Sequence, residues 1–506
     1  MARTSIVLAA VGSFLSLSFG AASAQPTYRL TDVGTLGPQW DCSGGAINAS
    51  AKVTGTCTTR VAPRVERAFL WNGRSIRDLG SLGGRFTSGQ AINASGWVAG
   101  TSLNAAGRFH AFLWDGSLHD LGTLGGRASH FRAMNDSGQV TGGADISGSA
   151  AFHAFISDGT MMQDLGTLGG SHSDGWDINA AGWVTGYAST TTPGTIFSHA
   201  FLWDGSTMHD LDTLGGTFSI GLAINDVGQI AGDSETTLPD NLNSHAFLWD
   251  GGTMQDLGTL GGGFSSAVDI NASGWVIGFS STSTHAAGYH AFVWNGAMHD
   301  LGTLGGFQSH PNAINASGQV TGQSYTANNA AEHAFVWDNG TLYDLNDLID
   351  PTDPKRGFTL IAGHDINDLG QIVATGVYRN RTRVFVVSPT DYRILGFFMP
   401  DQAPPFKLGG TVTIKVKLVD AGNGSPIRDG EAIALLNRPC RVKFSVSGAQ
   451  TRVPRCMTYD RATDKFSYDW AIGKTGSGPT TIAVDVSYSG SSTTMIRKSK
   501  NIIVTE

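Results

Sequence analysis

Apolar residues recur along this chain in short bursts closed by turn residues, with no sustained helical spacing. One full pattern runs Asp177-Ile178-Asn179, Gly182-Trp183-Val184-Thr185-Gly186, His199-Ala200-Phe201-Leu202-Trp203-Asp204-Gly205 and His209-Asp210-Leu211. Bursts of Val, Ile, Phe and Trp bounded by Gly, Asn and Asp predict short strands joined by tight turns. In turns such as Asp226-Val227-Gly228 the glycine takes the left-handed backbone position that β-branched residues resist.

The pattern repeats. Asp-Leu-Gly-Thr-Leu-Gly-Gly opens units at Asp120, Asp164, Asp256 and Asp300, with close variants at Asp210, Asp32 and Asp344. Its threonine or substitute falls at Thr35, Ser81, Thr123, Thr167, Thr213, Thr259, Thr303 and Asp347, at gaps of 42 to 46 residues. Each gap accommodates four strands: one ending in Ala-Ile-Asn, a Gln/Trp-Val-x-Gly strand, the His-Ala-Phe strand and the Asp-Leu-Gly strand. Four antiparallel strands per repeat of this length predict a propeller blade. The Asp-Leu-Gly strand has its first copy, Tyr28 to Gly34, ahead of the first Ala-Ile-Asn, while the last unit, Phe358 to Val387, lacks one. An N-terminal strand that completes the last blade closes a ring without an open edge. The predicted fold class is therefore all-β, an eight-bladed β-propeller closed by an N-terminal strand. A linear β-solenoid is the alternative.

Internal comparison separates scaffold from candidate site. A residue present in nearly every copy serves construction, because an active site is needed once. This covers His110, His153, His199, His245, His290 and His333, and Asp78, Asp120, Asp164, Asp210, Asp256 and Asp300, which are read as buried polar links between strands or blades. Phe112, Trp114, Phe201, Trp203, Phe247, Trp249, Phe292 and Trp294 are read as packing residues. The Asn-Ala-Ser triplets at Asn48, Asn93, Asn271 and Asn315, with Asn135-Asp136-Ser137, match a glycosylation acceptor pattern but fall in predicted turns, and the turn role is preferred.

Positions where the copies disagree are the better place for function. After Leu-Gly-Gly the third residue is always Ser or Thr in the second to seventh units (Thr87, Ser129, Ser173, Ser219, Ser265, Ser309), whereas the fourth and sixth vary. Alternate strand residues share a face, and in a propeller this strand lines the central channel. The candidate ligand site is thus a channel mouth formed by His130, Arg132, Asp174, Trp176, His310 and Asn312. The connections Ser189–Ser198, Ser234–Ser244 and Ser280–Tyr289 also vary, as binding loops on a rigid scaffold do. No nucleophile elbow, zinc-ligand pair, phosphate loop or calcium loop occurs, so no catalytic residue, metal or cofactor is expected.

Residues 1–24 read as a signal peptide: Arg3, an apolar run from Ile6 to Phe19, and Ala22-Ser23-Ala24 before Gln25. No stretch is long enough to span a membrane, so the mature chain is expected to be secreted or periplasmic, and a monomer. Cysteines in an exported chain read as disulfides. Cys42 and Cys57 flank a hairpin centred near Ala49-Ser50, and Cys440 and Cys456 fall together. The formal charge is −8, and no Lys or Arg occurs from Ala133 through Pro354, a composition that repels nucleic acid.

The His-Ala-Phe strands resemble the HAF repeat of bacterial extracellular proteins from about Tyr28 to Pro389. That resemblance implies export and a repeat fold and supplies no catalytic residue. Beyond residues 25–390, a linker at 391–410 with Pro400, Pro404 and Pro405 precedes period-two strands over 411–506, which suggest an Ig-like β-sandwich. Gly396-Phe397-Phe398 and Thr413-Ile414-Lys415-Val416 are similar to an Ig-like module of bacterial surface and secreted proteins, which adheres or spaces. The functional expectation is a non-enzymatic binding or adhesion scaffold for an extracellular carbohydrate or protein. A hydrolase or lyase of an extracellular polymer, using His130, Asp174 and His310 as acid/base groups, is the alternative; a surface-layer role is third.

Overall fold

The computed structural model describes residues 27–149, 151–190, 197–237, 244–282 and 288–389, together with strand segments beyond residue 391. The expected signal peptide, Cys440 and the middles of the three variable connections lie outside the described residues. Described residues up to Pro389 are almost entirely short strands and turns.

Those strands form successive four-stranded antiparallel sheets spanning residues 40–78, 83–120, 125–164, 169–210, 215–256, 265–302 and 305–344. They are numbered one to seven here; sheets four and five are joined by a single parallel bridge, Ser198 to Phe218. The last, sheet eight, combines Thr359–Ile366, Ile372–Tyr378 and Arg381–Pro389 with the N-terminal strand Tyr28–Gly34. Tyr28 pairs with Pro389 and Asp32 with Phe385. The expected closure by the N-terminal strand is therefore present. The opposite edge of that strand is covered too, with Tyr28 N–H donating to Leu348 O and Asp350 N–H to Tyr28 O.

First strands of neighbouring sheets touch all the way round, including Thr359–Ile366 against Trp40–Ile47, so they are the innermost strands of a propeller-like arrangement. A belt of asparagines runs round the same circuit. The side-chain amides of Asn48, Asn135, Asn179, Asn225, Asn271, Asn315 and Asn367 each donate to the carbonyl of the equivalent asparagine in the next sheet, Asn367 closing onto Asn48, at 2.9 to 3.2 Å. Asn93 donates one residue off, to Asp136 O at 3.3 Å. Their Oδ1 atoms meanwhile accept N–H groups of their own turns, as from Trp97 to Asn93. These amides are buried and engaged, which is why the turn role wins over the glycan acceptor role.

The core lies between sheets. Phe69, Phe112, Phe155, Phe201, Phe247, Phe292, Phe335 and Phe385, one per third strand, are all fully buried. Phe155, for example, packs with Ala99, Leu113 and Val140 from two adjacent sheets. The constant serine after Leu-Gly-Gly ties sheets together: Ser129 Oγ accepts from Ala111 N–H at 3.0 Å and donates to Gly122 O. Ser173, Ser219, Ser265 and Ser309 repeat the bond to the preceding sheet.

Each repeated histidine donates its Nδ1–H to the Asp carboxylate of the neighbouring fourth strand, as in His199–Asp210 and His245–Asp256 at 2.9 Å. These links differ from the expectation in one respect. They lie within a sheet and near its outer edge, where the Asp side chains are 41–43% exposed in five of six pairs, because the fourth strand faces water. In sheet eight Arg383 replaces the histidine and pairs with Asp32 of the closing strand at 2.9 Å. The first sheet departs further: Arg67 stands at the histidine position and donates to Glu66 O and Arg85 O.

Cys42 and Cys57 are directly opposed in the first sheet and form a disulfide. Beyond Pro389, the described strand segments pair into two sheets. Residues 391–410 include the strand Tyr392–Phe398, which pairs with Thr411–Asp420.

Candidate functional site

Four of the six variable residues come together on the first strands of sheets three and four, Gly125–Met134 and Gly169–Ile178. Asp174 is almost wholly buried and is held from two sides. His130 Nε2 lies 3.1 Å from both carboxylate oxygens. Arg132 Nε and Nη2 donate to Oδ2 at 3.1 and 2.9 Å. The Arg132 guanidinium also sits 3.9 Å above the Trp176 ring, a partly exposed cation–π contact of about 1 kcal/mol. Asp174 spends its charge on these two neighbours, which remain about one-third exposed, at 40% for His130 and 34% for Arg132.

A glycine makes this arrangement possible. Gly143 is the cross-strand partner of His130. A Cβ there would fall 2.5 Å from His130 Cε1 and 2.9 Å from Asp174 Oδ1. Equivalent positions in other sheets carry Thr56, Thr101, Tyr187, Asp233, Phe279, Gln323 and Thr375. Only the missing side chain at 143 lets the imidazole cross to the next sheet. Tyr187, opposite Asp174, completes the cluster, and burial raises its phenol above the usual value with Asp174 adding to the effect. The doublet Gly142-Gly143, where other copies read Gly-x, was the available sequence signal for this pocket.

Trp176 brings the one polar atom in the cluster left without a partner. Its indole Nε1–H is buried and makes no hydrogen bond; among the described residues only Thr190 Oγ1 shares that condition. A buried donor left unpaired costs about 1–3 kcal/mol.

His310 and Asn312 do not join this group. His310 packs against Phe279 at 4.6 Å and Tyr289 at 6.5 Å, and burial lowers its pKa. Asn312 donates to Gln323 Oε1 and Gly363 O, both at 2.7 Å. Of the six candidate residues the structure thus brings four into contact, while His310 and Asn312, on the first strand of sheet seven, turn toward sheets six and eight respectively. Side chains at this level reach mainly to the adjacent sheet, and that reach divides them.

Carboxylates that the sequence reading passed over line the innermost strands. Asp177, Asp269 and Asp365 replace the alanine of Ala-Ile-Asn. Each accepts its own neighbour's N–H and one from the next sheet, at Ile224, Ile314 and Ile47. Asp233 likewise accepts from Ser266 and Ala267. Burial pushes Asp177 up to about 7, Asp269 to about 6 and Asp233 to about 7. These folded-state values lie above the ~3.9 of an unfolded aspartate, so their stabilising contribution is complete only below that value and is lost as pH rises through 6 to 7. His199, raised by its bond to Asp210, has the same sign. His364, pushed down to about 4 by burial, and His310, also lowered, act in the opposite sense below about pH 6.5. The raised carboxylates outnumber them, so the melting midpoint should fall between about pH 5 and about pH 8. A midpoint that rises over that interval in differential scanning calorimetry would contradict it.

Among the described residues, no group of three or more His, Cys, Asp or Glu side chains is placed to hold a metal ion. No helix there is long and apolar enough to cross a membrane.

No protein-family model and no curated protein matches the chain. Among solved structures, it is similar to the β-propeller domain of the Trilobed protease from Pyrococcus furiosus, at 13% identity and TM-score 0.39, over 65% of this chain and 100% of that one. It is also similar to dipeptidyl peptidase 4 from Porphyromonas gingivalis, at 11% identity and TM-score 0.41, over 77% of this chain and 65% of that one. A third similarity is to the extracellular domain of a putative hybrid two-component system from B. thetaiotaomicron, at 10% identity and TM-score 0.24, over 89% of this chain and 77% of that one.

Proposed function

We propose that this chain is an exported, non-enzymatic binding scaffold of the HAF-repeat type. In this reading an eight-bladed propeller holds an extracellular carbohydrate or protein ligand, and the C-terminal segment is an Ig-like adhesion module. The disulfide suits an oxidising compartment outside the cytoplasm. The observation that carries the binding role is the cluster at Asp174. A guanidinium and an imidazole that keep exposed edges are held beside the Trp176 ring by the buried Asp174 carboxylate. Fixed donors around an aromatic face suit a ligand hydroxyl or carboxylate.

The His130–Asp174 pair gives the hydrolase or lyase reading its own support, since an imidazole oriented by a buried carboxylate is a common acid/base arrangement. Binding and turnover should be measured on the full chain against panels of glycans and peptides. The expected result is a retained ligand whose affinity falls about tenfold or more in Trp176→Ala. Turnover abolished by His130→Ala, with binding unchanged, would replace the scaffold reading by the enzymatic one.

A further inference from the structure

Charge is distributed over the ring in a way that chain order conceals. Residues 133–354, sheets four to seven with most of sheet three, carry 23 Asp+Glu and no Lys or Arg. Sheet eight closes beside sheet one, so residues 355–389 and 27–132 form one continuous arc, with 16 Lys+Arg against 8 Asp+Glu. A net charge of −8 thus describes neither side of the molecule. One arc is strongly acidic and the other basic.

Within the basic arc the arginines gather on one face. In every antiparallel sheet the first strand starts, the second ends and the third starts at the same edge. Arg85 and Arg127 follow the glycine pairs opening the first strands of sheets two and three. Arg60, Arg64 and Arg108 lie in connections from second to third strands, and Arg67 is at the start of a third strand. Arg67 Nη1 donates to Arg85 O at 3.2 Å, joining sheets one and two on that face. Arg60 and Arg64 have partners in Asp41 and Glu66 at 3.4 and 3.7 Å. Arg85, Arg108 and Arg127 are exposed and, among the described residues, have no carboxylate within 4.0 Å.

Two further features share the rim. Phe86 and Phe109 meet edge to face at 5.3 Å, with Phe109 46% exposed. Beneath the Arg60–Val65 connection lies a cleft of about 800 Å³, lined by the hydroxyls of Ser43, Thr56, Thr58, Thr59 and Ser88 and by the Arg60–Asp41 and Arg64–Glu66 pairs. Cys42, held to Cys57 by the disulfide, is part of its lining.

We infer that this rim docks an acidic polysaccharide, a chain of sugars bearing carboxylate or sulfate groups. Arginine forks match such anions with paired, charge-assisted hydrogen bonds. The exposed phenylalanine offers a flat apolar face to a sugar ring, and the hydroxyl-lined cleft takes its vicinal diols. The acidic arc occupies the rest of the same ring and repels a long stiff polyanion, so a flexible chain lying along one sector is favoured over duplex DNA. The inference rests on the binding-scaffold reading, names the ligand class, and places it on residues separate from the Asp174 cluster.

The test uses the full chain in titrations with polygalacturonate, dextran sulfate, neutral dextran and duplex DNA. Binding to at least one acidic polysaccharide is expected, with none to dextran. The triple variant Arg85→Ala, Arg108→Ala, Arg127→Ala should weaken it about tenfold or more, and added salt should weaken it further. Arg74→Ala, an exposed arginine in a hairpin turn at the opposite edge of sheet one, should leave it unchanged. An unaltered melting midpoint confirms that the triple variant is folded, since these side chains are exposed. No acidic-polysaccharide binding, binding indifferent to the triple variant, or stronger binding to DNA overturns the inference. If a different ligand is held in a Trp176-dependent way, the scaffold reading survives that failure; if the chain retains no ligand of any class, both fall.

Discussion

Gly186→Ala should be among the most damaging single-methyl changes in this protein, together with its equivalents Gly100, Gly142 and Gly232, where an added Cβ would meet the same 1.9 Å backbone contact. A Cβ at position 186 would sit 1.9 Å from the carbonyl oxygen of Asp174 and 3.1 Å from Gly175 Cα. Both obstacles are backbone of the innermost strand, which is paired with the 186 strand and packed against its neighbours, so neither can rotate aside. The strand must shift, and it carries Asp174 with it. The expected cost is about 3 kcal/mol, the upper end of the usual range for overpacking, together with loss of the His130 and Arg132 contacts. Gly252→Ala, where an added Cβ meets nothing within 4 Å, should be nearly silent. Denaturant melts of the two variants check the contrast, and equal midpoints would refute it.

Leu30→Asp should prevent the ring from closing. Tyr28, Leu30 and Val33 of the N-terminal strand are buried at 1%, 4% and 3% exposure. Leu30 lies in a core with Val336, Leu345 and Phe385, gathered from chain segments more than 300 residues away. Its N–H donates to Asp353 at 2.8 Å and its carbonyl accepts from Lys355. An unpaired carboxylate in that core costs more than about 4 kcal/mol. Without the seven-residue closing strand, Arg381–Pro389 would present an open edge, and such edges pair with other chains. Size-exclusion chromatography should therefore show oligomers or aggregate in place of the wild-type species. A variant that elutes and melts as wild type would show that closure does not depend on this strand.

How much could be read in advance follows from which residues act locally. Phe201 and its seven counterparts, the serine after Leu-Gly-Gly and the opposed Cys42 and Cys57 are all specified by period-two alternation and turn spacing. The missing Asp-Leu-Gly strand in the last unit pointed to Tyr28–Gly34. The candidate site was less accessible. Arg132, His130, Asp174 and Trp176 were identifiable as positions where copies disagree, but their meeting depends on Gly143, a residue notable for having no side chain. The belt through Asn48 and Asn367 looked like a set of isolated turns, because each amide reaches a partner in the next repeat.

The strand repeat, the residues of the core, the closing strand and the disulfide are all set by the order of the amino acids. Each follows from short-range spacing of apolar, turn and cysteine residues. Which variable residues meet, how His310 and Asn312 separate from the Asp174 cluster, and that residues 355–389 and 27–132 share one basic arc emerge only in the folded ring. Those outcomes depend on contacts between neighbouring sheets and across the ring closure, where residues hundreds of positions apart become adjacent and their charges add.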